Sequence, residues 1–216
     1  GFQLPIVDGV GLVGEPAVLA WQGKQHDVPL IMGGSSFEGT VQPASGITLD
    51  EFRRFHEHDW DTARRLYAEE FGVSEEFGLK KMFGDNRYVL AARTMVRSMD
   101  NRDSSAWAYY VNFVPTSRAQ EWPGTPHGVD GYYLWGGEAS GDPQMASLSR
   151  RLQGYWANFA RSGDPNGASL LGWPAYLASR DQWLVFDDED QVRADVIAAK
   201  LDYLEAHFMQ RIGASR

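Results

Sequence analysis

The stretch VPLIMGGSSFEGT, residues 28–40, runs from an apolar segment through two glycines and two serines to one carboxylate, Glu38, and a further glycine. A short apolar run closed by small residues is the pattern of a parallel strand covered on both faces, here residues 28–32. The carboxyl ends of such strands are where open α/β sheets present functional groups, and Glu38 stands just past that end. On this stretch alone an exposed turn carboxylate is the simpler reading. Ser35 and Ser36 stand beside it as candidate nucleophiles.

Outward from this strand the chain alternates between strand and helix patterns. Upstream, Asp8-Gly9 marks a turn and residues 15–22 a short helix. Downstream, residues 49–99 read as a helical insertion that opens on a Thr48 or Asp50 cap and has a first break at Gly72. Phe83, Tyr88, Leu90, Ala91, Met95 and Val96 supply its later apolar faces. AWAYYVNFVP, residues 106–115, is aromatic and β-branched, ends on proline, and predicts a second strand. An irregular Gly/Pro-rich stretch follows, TSRAQEWPGTPHGVDGYYLWGGEASGDP, and loops of that length are often functional. Residues 144–163 then form a helix with Leu148, Leu152, Tyr155, Trp156 and Phe159 on one face and Gly163 as its cap. Two short strands in WPAYLASRDQWLVFDD and a helix over 198–212 close the chain. The fold class is α/β: a mostly parallel sheet flanked by helices, in one domain over residues 1–216.

Composition narrows the function. With 216 residues, 43% hydrophobic and 23% charged, the chain has the length and make-up to bury a sizeable core. A formal net charge of −9, with no basic cluster beyond pairs such as Arg150-Arg151, argues against nucleic acid as a partner. No apolar run is long enough to span a bilayer. Without cysteine there is no disulfide framework and no thiolate nucleophile or ligand, which is compatible with a bacterial cytoplasm and with secretion alike. The N-terminal residues GFQLPIVDGVGLV read as extended chain already inside a fold, so a preceding segment is expected.

His127, between Pro126 and Gly128 in the long loop after the second strand, is poorly placed for a core and well placed to present an imidazole. Glu38 followed by His127, each beyond a strand end, has the order of acid and base in α/β-hydrolases. The nucleophile is missing. No G-x-S-x-G occurs, GGSSFEG fails the spacing, and Ser140 in GEASG sits fourth rather than third and follows the histidine.

Three segments carry a resemblance. PIVDGVGLVGEPAVLAWQGKQHDVPLIMGGSSFEGT resembles the triad-glutamate segment of type-B carboxylesterases, the cholinesterase-like family. GTPHGVDGYYLWGG resembles that family's H-G-x-D/E loop. LSRRLQGYWANFARSGDPNG followed by WPAY is similar to its F-A-x-x-G-D-P-N helix end and the W-P strand beyond. The resemblance implies the C-terminal part of an α/β-hydrolase serine esterase, with Glu38 as triad acid, His127 as general base, a carboxylic ester as substrate, and no metal or organic cofactor. It puts the serine elbow and oxyanion loop in an N-terminal half outside this chain, so that the chain alone is expected to be inactive. Residues 48–102 match the helical region that borders the pocket. Gly131-Tyr132 departs from the Leu-Pro common after the acidic residue of the histidine loop, and Ser35-Ser36-Phe37 is an uncommon acid-loop sequence. Both departures bear on pocket shape.

Other readings stand beside this one. The family's fold also resembles adhesion proteins, so a non-catalytic interaction module is the alternative, though such a module is free to lose Glu38 or His127. A self-sufficient hydrolase using Ser35 or Ser36 is a third. Exposed strand edges and apolar helix faces would be covered by the N-terminal half or by a second copy of the chain. HEHDWD, with His56 and His58, reads as a solvated face in preference to a metal site, because residues two apart on a helix point to different faces. Asp130 either joins the histidine network or caps the next turn. Phe37, Tyr132, Tyr133 and Trp135 either line a pocket or pack, and packing is favoured for Trp135.

Overall fold

Two-residue periodicity in the second strand, β2 (Ala106–Val111), sorts the molecule into layers. Trp107 and Val111 enter one hydrophobic core, while Ala106, Ala108 and Tyr110 enter another on the opposite face. The third strand, β3 (Gln182–Phe186), repeats the division: Leu184 and Phe186 face the first core, Trp183 and Val185 the second. With β1 (Leu30–Ser35) and β4 (Gln191–Ala194) the sheet has the order β1-β2-β3-β4. The first three strands are parallel and β4 runs antiparallel to β3. The computed structural model describes residues 6–136 and 141–213. Ser140, weighed above as a nucleophile, lies outside them, as do residues 1–5 of the extended start.

The Ala108 face is covered by α2 (Leu49–Arg54), α3 (Trp60–Leu66), α4 (Ala68–Val73), α5 (Glu75–Gly84), α6 (Leu90–Ser98) and the terminal helix α9 (Ala198–Ile212). The Trp107 face is covered by α7 (Val129–Trp135) and α8 (Pro143–Ser162). A short α1 (Pro16–Trp21) lies against α6. Thr48 is the cap that opens α2: its hydroxyl accepts from the Glu51 N–H while the Glu51 carboxylate accepts from the Thr48 N–H, a reciprocal capping box. Asp142 caps α8 through the N–H groups of Gln144 and Met145, with Pro143 at the first helical position.

Between α5 and α6 the helix widens into a π-turn, Asp85–Val89. There Asp85, fully buried, is paired with Lys81 one turn back and accepts a hydrogen bond from the Tyr67 hydroxyl at 3.1 Å. Burial pushes the Asp85 carboxyl above its ordinary pKa, and the Lys81 ammonium opposes that push.

Four expectations are corrected. First, β1 begins at Leu30 and runs through Gly33 and Gly34 rather than ending before them. A Cβ on Gly33 would fall 2.2 Å from the Tyr109 carbonyl oxygen, so this glycine serves close approach of β2 and does not break the strand. Second, the first four residues of β1 are only partly buried rather than covered on both faces. Third, the irregular stretch after β2 contains a helix, α7, which Gly128 starts from a left-handed conformation at φ 77°. Fourth, the W-P segment forms no strand. Asn166 accepts from the Trp173 N–H at 2.7 Å and donates to its carbonyl at 3.0 Å, while the Trp173 indole N–H reaches the Ala108 carbonyl of β2. The GDPN turn is therefore a clamp that seats a buried tryptophan against the sheet.

Candidate functional site

The ends of β1 and β2 are neighbours because the strands are parallel, and backbone bonds tie together the loops that leave them. The Ser36 N–H donates to the Val111 carbonyl at 2.8 Å and the Phe37 N–H to the Thr125 carbonyl at 2.9 Å, and Phe37 bridges Pro126 in parallel. Side chains lock the seam. Ser36 Oγ accepts from the Thr125 N–H, Thr125 Oγ1 donates to the Phe113 carbonyl, and Thr40 Oγ1 accepts from the His127 N–H at 3.0 Å.

This seam brings Glu38 and His127 together across 89 residues, with Oε2 of the carboxylate 2.5 Å from Nδ1 of the imidazole. The other oxygen, Oε1, accepts from the Ser35 N–H at 2.6 Å. Glu38 is 4% exposed whereas the His127 side chain is 37% exposed, so the acid is held inside and the imidazole faces outward. Burial raises the Glu38 pKa, the Ser35 N–H and His127 pull it back, and the negative charge of Asp130 adds to the rise. Such a carboxylate gains most from a proton held on Nδ1. With Nδ1 engaged, Nε2 is the nitrogen left to exchange a proton with a bound molecule.

The π-turn places Tyr88 against His127, ring centroids 4.4 Å apart. Tyr88 also lines a cleft of about 950 Å³ with Phe52, Phe83, Leu90 and Met95 among its apolar walls. Sequence reasoning named Tyr88 only as an apolar face. Nothing local marks it, because its contact partner is some forty residues away in the chain. Asp130 neither bonds His127 nor only caps a turn: its Oδ2 accepts from the Tyr109 hydroxyl of β2 at 2.7 Å.

The acid turn is also gripped from α5. A Cβ on Gly39 would lie 2.1 Å from the Lys80 carbonyl oxygen, and one on Gly84 would lie 2.5 Å from the Gly39 nitrogen and 2.7 Å from the Glu38 carbonyl carbon. Two backbones thus meet with no side chain between them. Gly84→Ala is expected to destabilise the protein by about 1–3 kcal/mol, the range for overpacking, and to shift the His127 imidazole resonances. Thermal denaturation and NMR check this, and an unchanged Tm with unchanged resonances would show that the contact relaxes freely.

Among the other sequence candidates, Ser35 is fully buried and Ser36 nearly so, with its hydroxyl committed to Thr125. Phe37 is buried and stacks on Phe77, and Tyr133 is buried in the α8 core. Trp135 is 83% exposed, against the expectation of packing: Tyr133 and Leu134 take the inward face of α7. The solvated reading of HEHDWD holds for His58 and fails for His56, which is 3% exposed. The segment is no continuous helix, since α2 ends at Arg54 and α3 starts at Trp60.

Against known proteins, the family model described as "Carboxylesterase family" matches residues 2–204. An acetylcholinesterase of Bungarus fasciatus is 28% identical over 141 residues, covering 62% of this chain and 23% of that protein. Carboxylesterase 1C of Mus musculus is 26% identical over 198 residues, covering 79% of this chain and 36% of that protein. A solved PNB esterase superposes with a TM-score of 0.73 at 20% identity, covering 94% of this chain and 44% of that one. The likeness establishes the α/β-hydrolase fold, and the chain spans less than half the length of each of these relatives. The parallel sheet, the order of its elements and the family match over nearly the whole length lead to one assignment: the chain belongs to the carboxylesterase family.

Proposed function

We propose that this chain supplies the acid and the base of a serine esterase acting on carboxylic esters, with the serine and the oxyanion hole coming from an N-terminal portion of the same enzyme. The observation that carries the proposal is the Glu38–His127 pair, on the loops that leave adjacent parallel strands, with Oε2 and Nδ1 2.5 Å apart. A hydroxyl attacks a carbonyl poorly until imidazole removes its proton. His127 Nε2 takes that proton as the serine oxygen bonds to the ester carbon, and returns it to the alkoxide leaving group when the tetrahedral adduct collapses. Water then attacks the acyl-serine by the same exchange and releases the acid. Glu38 holds the imidazole with its proton on Nδ1 and stabilises the imidazolium formed in each step. The cleft reached past Tyr88, walled by helices of residues 48–102 together with α1 and α9, is the place for an apolar part of the ester. The open edge of β1 is the place for the next strand of the sheet, from the N-terminal portion.

Ester hydrolysis tests this directly. The chain alone is expected to give no turnover of p-nitrophenyl esters, and the chain joined to or co-expressed with its N-terminal portion is expected to give turnover. Turnover by the purified chain alone that disappears in Ser35→Ala or Ser36→Ala would establish the self-sufficient reading instead, although the burial of both serines opposes it. An upstream portion with no serine elbow would leave the interaction module as the better reading. Presence of both Glu38 and His127 in bonding contact argues against that module, which needs neither.

A further inference from the structure

Three of the five histidines in the sequence, His56, His58 and His207, meet in one place away from the Glu38–His127 pair. Two remote segments bring them there: the irregular turn between α2 and α3, and the middle of α9. Tyr203 and His207 stand one turn apart on α9 and present the same face to that turn. The imidazole of His207 is 4.8 Å from that of His58 and 4.6 Å from that of His56, centroid to centroid. Between them lies Asp59. Its Oδ2 is 3.0 Å from His207 Nε2 and its Oδ1 is 4.0 Å from His58 Nε2.

We propose that His58, Asp59 and His207 form a binding site for a divalent transition-metal ion of the zinc type. One ligand atom from each of the three lies within 4.8 Å of the others. In a tetrahedral zinc site with bonds of about 2.1 Å the ligand atoms stand about 3.4 Å apart. The Asp59 Oδ2–His207 Nε2 separation of 3.0 Å is near that value, and His58, within 4.8 Å of the other two, closes the set by rotating its exposed side chain inward. Two imidazoles and one carboxylate suit zinc, cobalt or nickel better than calcium or magnesium, which prefer all-oxygen shells. Three protein ligands leave a fourth position for water or an external ligand.

The surroundings orient the carboxylate as second-shell partners do in metal sites. The Tyr203 hydroxyl donates to Asp59 Oδ1 at 2.9 Å, which fixes the plane of the carboxylate. His56 Nδ1 lies 3.3 Å from the same hydroxyl, and its ring, buried against Phe52, closes the inner side of the site. The access is graded: the His58 side chain is 60% exposed, that of Asp59 35% and that of His207 13%. An ion entering from solvent meets His58 first and ends against α9. Bound there, it ties the C-terminal helix to the turn between α2 and α3, a junction otherwise held by hydrogen bonds and ring contacts. The argument for this site does not use the esterase reading, although His56, His58 and His207 line the same cleft as Tyr88.

The test uses the full chain without a polyhistidine tag, in whichever of the two forms described above is soluble, freed of metal with EDTA. Titration with Co²⁺ followed by visible absorption, and with Zn²⁺ followed by calorimetry and thermal denaturation, is expected to show one equivalent bound, an intense Co²⁺ spectrum of low coordination number, and a raised Tm. His58→Ala leaves the folded core untouched and is expected to weaken binding at least tenfold and abolish the rise in Tm; Asp59→Asn is expected to do the same. His127→Ala and His26→Ala serve as controls and should leave this equivalent in place. Affinity and spectrum unchanged in His58→Ala, or loss of the bound equivalent in His127→Ala, would overturn the proposal. So would failure of the parent protein to bind either ion below millimolar concentration.

Discussion

On the proposed reading, in which an N-terminal portion completes a serine esterase, His127→Ala is expected to lower kcat for a p-nitrophenyl ester by about 10⁵- to 10⁶-fold, and adding Glu38→Gln should cost little more. The reason for the non-additivity lies in the proposed division of labour. Glu38 touches no substrate in this scheme; it acts on the ester only through the imidazole, so without His127 it has nothing to orient. Glu38→Gln alone should cost about 10⁴-fold, the size of effect seen when a buried carboxylate behind a catalytic histidine becomes an amide. An amide of the same shape can turn its NH₂ toward Nδ1 and trap the imidazole in the wrong tautomer, and it carries no charge to stabilise the imidazolium. Steady-state kinetics of the two single variants and the double variant test the scheme. Retention of most activity in His127→Ala would remove His127 as the base, and additive losses would mean that Glu38 acts by another route.

The second large effect concerns stability. Lys81→Met is expected to destabilise the protein by about 3–5 kcal/mol, the cost of leaving a buried charge without its partner. Asp85 is fully buried, and the variant leaves its carboxylate with only the Tyr67 hydroxyl among the contacts described above. The sign of the pH dependence follows from the raised Asp85 pKa. A carboxyl whose folded pKa lies above its unfolded value near 3.8 favours the folded state in its neutral form, so the penalty is largest above the folded pKa and disappears as pH falls below 3.8. Urea denaturation across that range should show the variant approaching the parent at acid pH. Asp85→Asn added to Lys81→Met should recover part of the loss at neutral pH, because it removes the uncompensated charge. A Lys81→Met variant as stable as the parent at pH 7 would show that water or a shifted side chain takes over the lysine's role.

The parallel sheet, the terminal helix and α8 were legible in the sequence because each rests on a local pattern: the aromatic and β-branched run of β2, the apolar stripe of α8, and its Gly163 cap. The W-P segment was misread as a strand because its order comes from Asn166 and from a carbonyl of β2, partners no local pattern reveals. β1 was given a short, fully covered form because Gly33 looks like a breaker until Tyr109 is seen lying against it. As for the candidate site, Glu38 and His127 were singled out only together, by their order along the chain and by the family resemblance, since each alone reads as an ordinary loop residue. Their contact was not legible, nor was the part of Tyr88, because tertiary approach of two loops decides both. His56 was assigned to a solvated face by assuming a continuous helix; the break between α2 and α3 turns it inward onto Phe52 and α9.

The backbone contact between α5 and the Glu38 turn bears on how this protein would be engineered. Where α5 meets the turn through Lys80, Gly84 and Gly39 there is no side chain to absorb a change, so a substitution that shifts this end of α5 is expected to displace the Glu38 turn with it. On the proposed esterase reading, libraries aimed at altered ester preference would do poorly there, since variants would be lost through a mispositioned Glu38 carboxylate before any new preference could be scored. Met95 and Leu90, whose side chains line the cleft one helix further along, offer variable shape without that penalty.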